Sequence, residues 1–166
     1  MLVPESLVHL LKPWADFYSH SKGAETIVQG LHIGGLLLGG GMAIGADRAT
    51  LRALRSPVGD RMHYLKELAT VHRVVLTGLT IVALSGVALL TADIETFFGS
   101  WIYWTKMVLV LMLLANGYGI TKAEHRLAKE GGESSPHWAA LHRTAVASLA
   151  LWFTITVAGV ALVNLT

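Results

Sequence analysis

The chain has 166 residues with no cysteine, is 53% hydrophobic and only 14% charged, and carries a formal net charge of +2. It is too apolar for an ordinary soluble domain of this length, and the missing cysteines exclude disulfides, thiolate metal sites, iron–sulfur ligation and cysteine nucleophiles. The basic residues form no patch on a soluble domain, so nucleic acid is not an expected partner.

The first 22 residues hold Leu7, Leu10, Leu11, Trp14, Phe17 and Tyr18 at helical spacing, with Glu5, Lys12, Asp16 and Ser19 on the other face. That pattern predicts an amphipathic helix lying at a membrane interface, with Pro13 expected to bend or divide it. The N-terminus lacks the basic region and apolar core of a secretory signal, so it is expected to be retained.

Four apolar windows follow, at about 26–46, 71–91, 100–120 and 143–164, each near the ~20 residues that cross ~30 Å of hydrocarbon. The expected fold is an all-α integral membrane protein, with the interfacial helix over 1–22 and a four-transmembrane-helix bundle over 23–166. Arg48, Arg52, Arg55, Arg61 and Lys66 lie between the first and second windows, and Lys122, Arg126 and Lys129 between the third and fourth. With Arg73 and Arg143 at the helix ends, they leave only Lys12, Lys22 and Lys106 for the opposite side. The positive-inside rule makes the basic side cytoplasmic, which places both termini in the periplasm of a bacterial inner membrane.

Pro57-Val58-Gly59 interrupts the first basic loop, with the second helix expected from near Asp60. Gly131-Gly132 is expected to stop the third helix, and Ser135-Pro136 to open the fourth. Trp101, Tyr103 and Trp104 read as an aromatic belt, with Lys106 snorkelling outward, and Asn116 is expected to hydrogen-bond a neighbouring helix.

Ionisable residues inside a membrane are costly and need a partner or a function. His32 lies within the first window, about 6 Å outward of its midpoint, whereas His72 and His142 open the second and fourth windows at matching depths about 13–16 Å from the centre. Two neutral imidazoles on facing helices are what a b-type haem requires. Arg73 and Arg143, directly after them, sit at a depth suited to propionates or lipid headgroups. Gly86, fourteen residues after His72, returns to nearly the same helix face.

His32 is framed by glycines at the small-xxx-small spacings 30/34, 35/39 and 41/45. These allow either close helix packing or a flat cofactor against the glycine surface with His32 as ligand, for which Met107 has a matching depth. His9 and His20, with Met1, offer an outer copper site as an alternative. The remaining histidines, His63, His125 and His137, are expected in water. No Ser/His/Asp arrangement, phosphate loop or paired carboxylate site is present, so an intrinsic hydrolase is not expected.

Two segments resemble a known family. Leu31-His32-Ile33-Gly34-Gly35-Leu36-Leu37-Leu38-Gly39-Gly40, ending in Asp47-Arg48-Ala49-Thr50-Leu51-Arg52, resembles the first helix of small bacterial membrane proteins related to the copper resistance D family. Phe97-Phe98-Gly99 through Trp104-Thr105-Lys106-Met107, followed by Asn116, is similar to their third helix. The resemblance implies the four-helix core of membrane b-type cytochromes, and hence haem-mediated electron transfer or copper handling. It maps onto His32 and Lys106.

The expectation is therefore a subunit binding one or two b haems through His72, His142 and His32, with Arg73 and Arg143 as cofactor contacts. Such a chain would be an electron-transfer subunit rather than a stand-alone enzyme. Its partners would be a quinone or a redox protein, within a larger complex or a homo-oligomer. The alternatives are a copper-transport or copper-tolerance protein, and a cofactor-free structural subunit docking through its glycine-rich helix.

Overall fold

The computed structural model describes residues 3–130 and 135–165, with residues 58–60, 62–70 and 135 described at the level of the backbone. The expected stop at Gly131-Gly132 and the side chains of His63 and Lys66 lie outside the described residues, as does Met1. Six helices follow in order: α1 (Glu5–His20), α2 (Lys22–Ala53), α3 (Val58–Ala92), α4 (Ile94–Gly99), α5 (Trp101–Lys129) and α6 (Ser135–Leu165). Of these, α2, α3, α5 and α6 contain segments long and apolar enough to cross a membrane.

The long helices outrun the apolar windows. At 32 residues, α2 spans about 48 Å, well beyond the ~30 Å of hydrocarbon, and its surplus carries Arg48 and Arg52 past the apolar zone. The exterior is apolar: Leu37, Leu84, Leu111, Phe153 and Val163 are all exposed. Water does not tolerate such a surface over a whole bundle, whereas hydrocarbon does, and each helix satisfies its own backbone hydrogen bonds.

Small residues decide how the helices meet. A Cβ at Gly35 would stand 3.0 Å from the carbonyl oxygen of Gly78, and one at Gly39 would stand 3.1 Å from the amide nitrogen of Leu79. From the other side, a Cβ at Gly78 would run into the backbone of Gly39. At this crossing α2 and α3 therefore touch backbone to backbone, which only glycine permits. Gly40 serves a different neighbour: its face carries the Trp152 ring of α6, whose Cζ3 lies 3.0 Å from where a Cβ would be.

Trp152 stands at the middle of the bundle with Leu113 and Ile155. Leu36 and Ala43 of α2, Leu79 of α3, Leu109 and Val110 of α5, and Leu151 of α6 pack against that core. A second core of Ala123, Leu127, Trp138 and Leu141 closes the basic end, where the Arg61 guanidinium lies 5.4 Å from the centre of a Trp138 ring. In outline, α2 packs extensively against α3 and α6, and α5 against α6, while α3 and α5 barely meet and α3 reaches α6 at the basic end through Arg61 and Trp138.

At the other end α1 runs unbroken through Pro13, so the proline does not divide it. Val8, Leu11, Trp14, Ala15 and Tyr18 are its half-buried face, whereas Leu7, Leu10 and Phe17 are exposed. The Trp14 indole N–H donates to the Ala88 carbonyl at 3.0 Å, which ties α1 to the last turns of α3. The short α4, not foreseen from sequence, is capped by Asp93, which accepts from the Thr96 amide at 3.3 Å. It contributes Phe97 and Phe98 to an aromatic cluster with Tyr103 and Trp104.

Candidate functional site: two polar levels inside an apolar bundle

Polar side chains enter the bundle at two levels, separated by the apolar layer around Trp152. The first, on the side of α1 and α4, is built on His32. Its Nδ1 lies 3.0 Å from Ser85 Oγ across the α2–α3 interface. Ser85 is buried, and its hydroxyl donates to the Ile81 carbonyl at 2.6 Å. A hydroxyl has one proton to give. A Ser85 hydroxyl that donates to Ile81 meets His32 Nδ1 as an acceptor, the arrangement that would put the imidazole N–H on Nδ1 and the lone pair on Nε2.

Two glycines shape the surroundings of this level. A Cβ on Gly86 would lie 3.3 Å from His32 Cε1, and a Cβ on Gly159 would lie 3.7 Å from Lys106 Nζ. Lys106, brought in by α5, is half-buried and within electrostatic reach of His32. The level thus combines an imidazole lone pair and an ammonium in apolar walls. Met107, the next residue, is also half-buried on α5.

The second level takes one residue from each long helix. On α2, Asp47 is buried and accepts a hydrogen bond from the Ser148 hydroxyl of α6, and it lies within electrostatic reach of Glu124 on α5. Glu124 in turn faces His72 of α3, with Oε2 3.5 Å from Nε2. Asp47 Oδ2 is enclosed without a hydrogen-bond partner among the described residues. Fifteen residues separate His32 from Asp47 on α2, so the two levels are about 22 Å apart along that helix.

The two members of the expected inner ligand pair have unlike surroundings. His72 is engaged by Glu124 of α5, whereas His142 and Arg143 are exposed on α6. Arg73 is likewise exposed. On α6 the buried stripe runs through Trp138, Leu141, Ala145, Ser148 and Trp152, and His142 is turned about 100° away from Leu141 by helical geometry. Of the three histidines, His32 is half-buried with Nδ1 against Ser85, His72 faces Glu124, and His142 is exposed.

Other expected residues fall into place individually. Asn116 Nδ2 donates to the Thr144 carbonyl at 2.9 Å, linking α5 to α6. His9 and His20 sit on one continuous helix about 16 Å apart, too far to share an ion, and His20 Nδ1 meets the Asp16 carbonyl at 2.8 Å. His125 is exposed and His137 faces Glu130 at 3.3 Å. Among the described residues, no three histidine, aspartate or glutamate side chains gather closely enough to hold a metal ion.

Asp47, Glu124, Ser148 and Ser85 are the participants that the sequence did not single out. Asp47 carried a signal, as an acid directly after the first apolar window, whereas Glu124 did not stand out among Asp60, Glu67, Glu130 and Glu133 of the same side. Ser85 carried none, being 53 residues from the histidine it holds. No family model, curated protein or solved structure matches the chain.

Proposed function

We propose that the chain is a multi-pass inner-membrane subunit for electron transfer, holding a b-type haem through Nε2 of His32, with the basic loops cytoplasmic and both termini periplasmic. The observation that carries the reading is the relay from His32 Nδ1 through Ser85 to the Ile81 carbonyl. An imidazole whose second nitrogen is anchored in this way has a fixed ring plane and a committed tautomer, the preparation seen in metal-ligating histidines. Haem needs only one or two protein ligands, whereas a bare copper ion needs a converging set. That difference favours haem over the copper alternative. Bound here, the haem supplies reversible one-electron chemistry. The chain's own part is to present Nε2, to place the Lys106 ammonium where a propionate can meet it, and to keep water out with the Trp152 layer. Leu7, Leu10 and Phe17 of α1 then enter the outer lipid interface.

A reduced-minus-oxidised absorption spectrum of the full chain, purified after haem-replete expression, tests the reading. A Soret shift with a resolved α-band is expected. A folded, helical protein without either band overturns it.

A cofactor-free subunit of a larger complex is the second reading, favoured by a different observation. Gly30, Gly34, Gly41 and Gly45 follow one another at four, seven and four residues on α2, and a Cβ at any of them meets nothing within 4 Å. Such an open small-residue face can receive another helix closely. The two readings separate cleanly: the second predicts association that does not depend on His32.

A further inference from the structure

Toward the basic end of the bundle, the seam between α5 and α6 is indented by a cavity of about 340 Å³ walled by Asn116, Ala140, Arg143, Thr144 and Ala147. The four α6 residues follow the i, i+3, i+4, i+7 pattern of a single helix face. Three of them are small, so this face of α6 is hollow. Gly119 on α5 lets the Thr144 methyl come close, 3.5 Å from where a Cβ would be. The side chain of Arg143 is the only charge in the wall. It is exposed, and no carboxylate pairs with it among the described residues.

A guanidinium without a counter-charge, at the rim of an otherwise nearly apolar groove, is matched by a ligand with a negative head and a hydrocarbon tail. Guanidinium binds phosphate through paired charge-assisted hydrogen bonds, and basic pockets between transmembrane helices are sites for acidic headgroups. A zwitterionic lipid brings its own cation and gains less from Arg143. Another protein helix laid flat in the groove would have to bury the guanidinium unpaired, which is costly. We propose that the α5/α6 groove is a binding site for an anionic phospholipid, with its phosphate on Arg143 and an acyl chain along Ala140, Thr144 and Ala147. The site is independent of any haem and needs only that the chain sits in a bilayer.

Native mass spectrometry of the detergent-purified full chain, titrated with phosphatidylglycerol and with phosphatidylcholine of matched chains, reads the affinities directly. Wild type is expected to prefer phosphatidylglycerol about tenfold, a difference of about 1.4 kcal/mol. Arg143→Gln should abolish the preference, and Ala147→Phe, which fills the groove, should weaken both lipids. Arg48→Gln, an exposed basic residue on α2 away from the groove, should leave the preference intact. The Arg143→Gln change is at an exposed position, so the comparison stands even where Ala147→Phe fails to fold. The proposal is overturned by equal binding of the two lipids to wild type or by a preference that survives in Arg143→Gln. It is equally overturned by a loss in Arg48→Gln as large as in Arg143→Gln, which would indicate diffuse surface attraction.

Discussion

Adding one methyl group at Gly78 tests the backbone-to-backbone crossing of α2 and α3. In Gly78→Ala the new Cβ meets the Gly39 backbone and stands 2.9 Å from the Gly35 carbonyl oxygen. No side-chain rotation relieves this, because the obstacles are main-chain atoms of a regular helix, so the two helices must separate. Overpacking costs about 1–3 kcal/mol, and a clash with rigid backbone belongs in the upper part of that range. Against it stands the helix-propensity gain of alanine over glycine, up to about 1 kcal/mol. A net loss of about 2 kcal/mol is expected, worth roughly 4–8 °C in melting temperature for a chain of this size. Gly41→Ala is the matched control, since its Cβ meets nothing within 4 Å; it should be neutral or slightly stabilising. Thermal unfolding in a mild detergent, followed by circular dichroism, compares the two. Equal melting temperatures for wild type and Gly78→Ala would refute the crossing.

Topology is tested in the cysteine-free chain by single cysteines: an impermeant maleimide should label Glu95→Cys from the periplasm and leave Arg52→Cys and Lys122→Cys unlabelled in intact cells, and the reverse pattern contradicts the orientation. His72→Ala removes the partner of Glu124 beside the buried Asp47 and should cost about 1–3 kcal/mol in thermal unfolding. His142→Ala, at an exposed position, should stay within about 0.5 kcal/mol, and equal effects would contradict the inner level. Trp14→Phe keeps the ring packing but loses the bond to the Ala88 carbonyl; a cost of about 1 kcal/mol should show as faster proteolytic clipping of α1, and unchanged clipping removes the anchor.

The spans were legible because crossing hydrocarbon fixes a minimum apolar length, and all four windows lie inside long helices. Of the three glycine spacings read from the sequence, 35/39 is packed against α3, whereas 30/34 and 41/45 lie open. Spacing alone marks a face and does not say what occupies it. The same limit explains His72 and His142. Counting residues along a helix gives depth, but a shared site also requires the right direction around each axis and adjacent helices. His142 misses by one residue from the buried Leu141, and His72 turns to Glu124 of α5. His32 was visible as a lone polar group in an apolar run. Its partner Ser85 was not, because serine in such a helix ordinarily bonds its own preceding turn, as Ser85 also does toward Ile81. The inner level escaped notice for a similar reason: Asp47, Glu124, His72 and Ser148 come from four helices and converge only when the bundle closes.

The central claim is that His32 presents Nε2 to a haem, and titrating haem into the apoprotein tests it most directly. Wild type and His32→Leu would each be titrated in the same detergent, with Soret absorbance read against molar ratio. The account predicts a sharp break at a fixed stoichiometry in wild type and one fewer haem bound in His32→Leu, with helix content unchanged because leucine suits the apolar interior. Identical titrations for the two proteins would contradict it and leave His32 and Ser85 as a packing pair between α2 and α3.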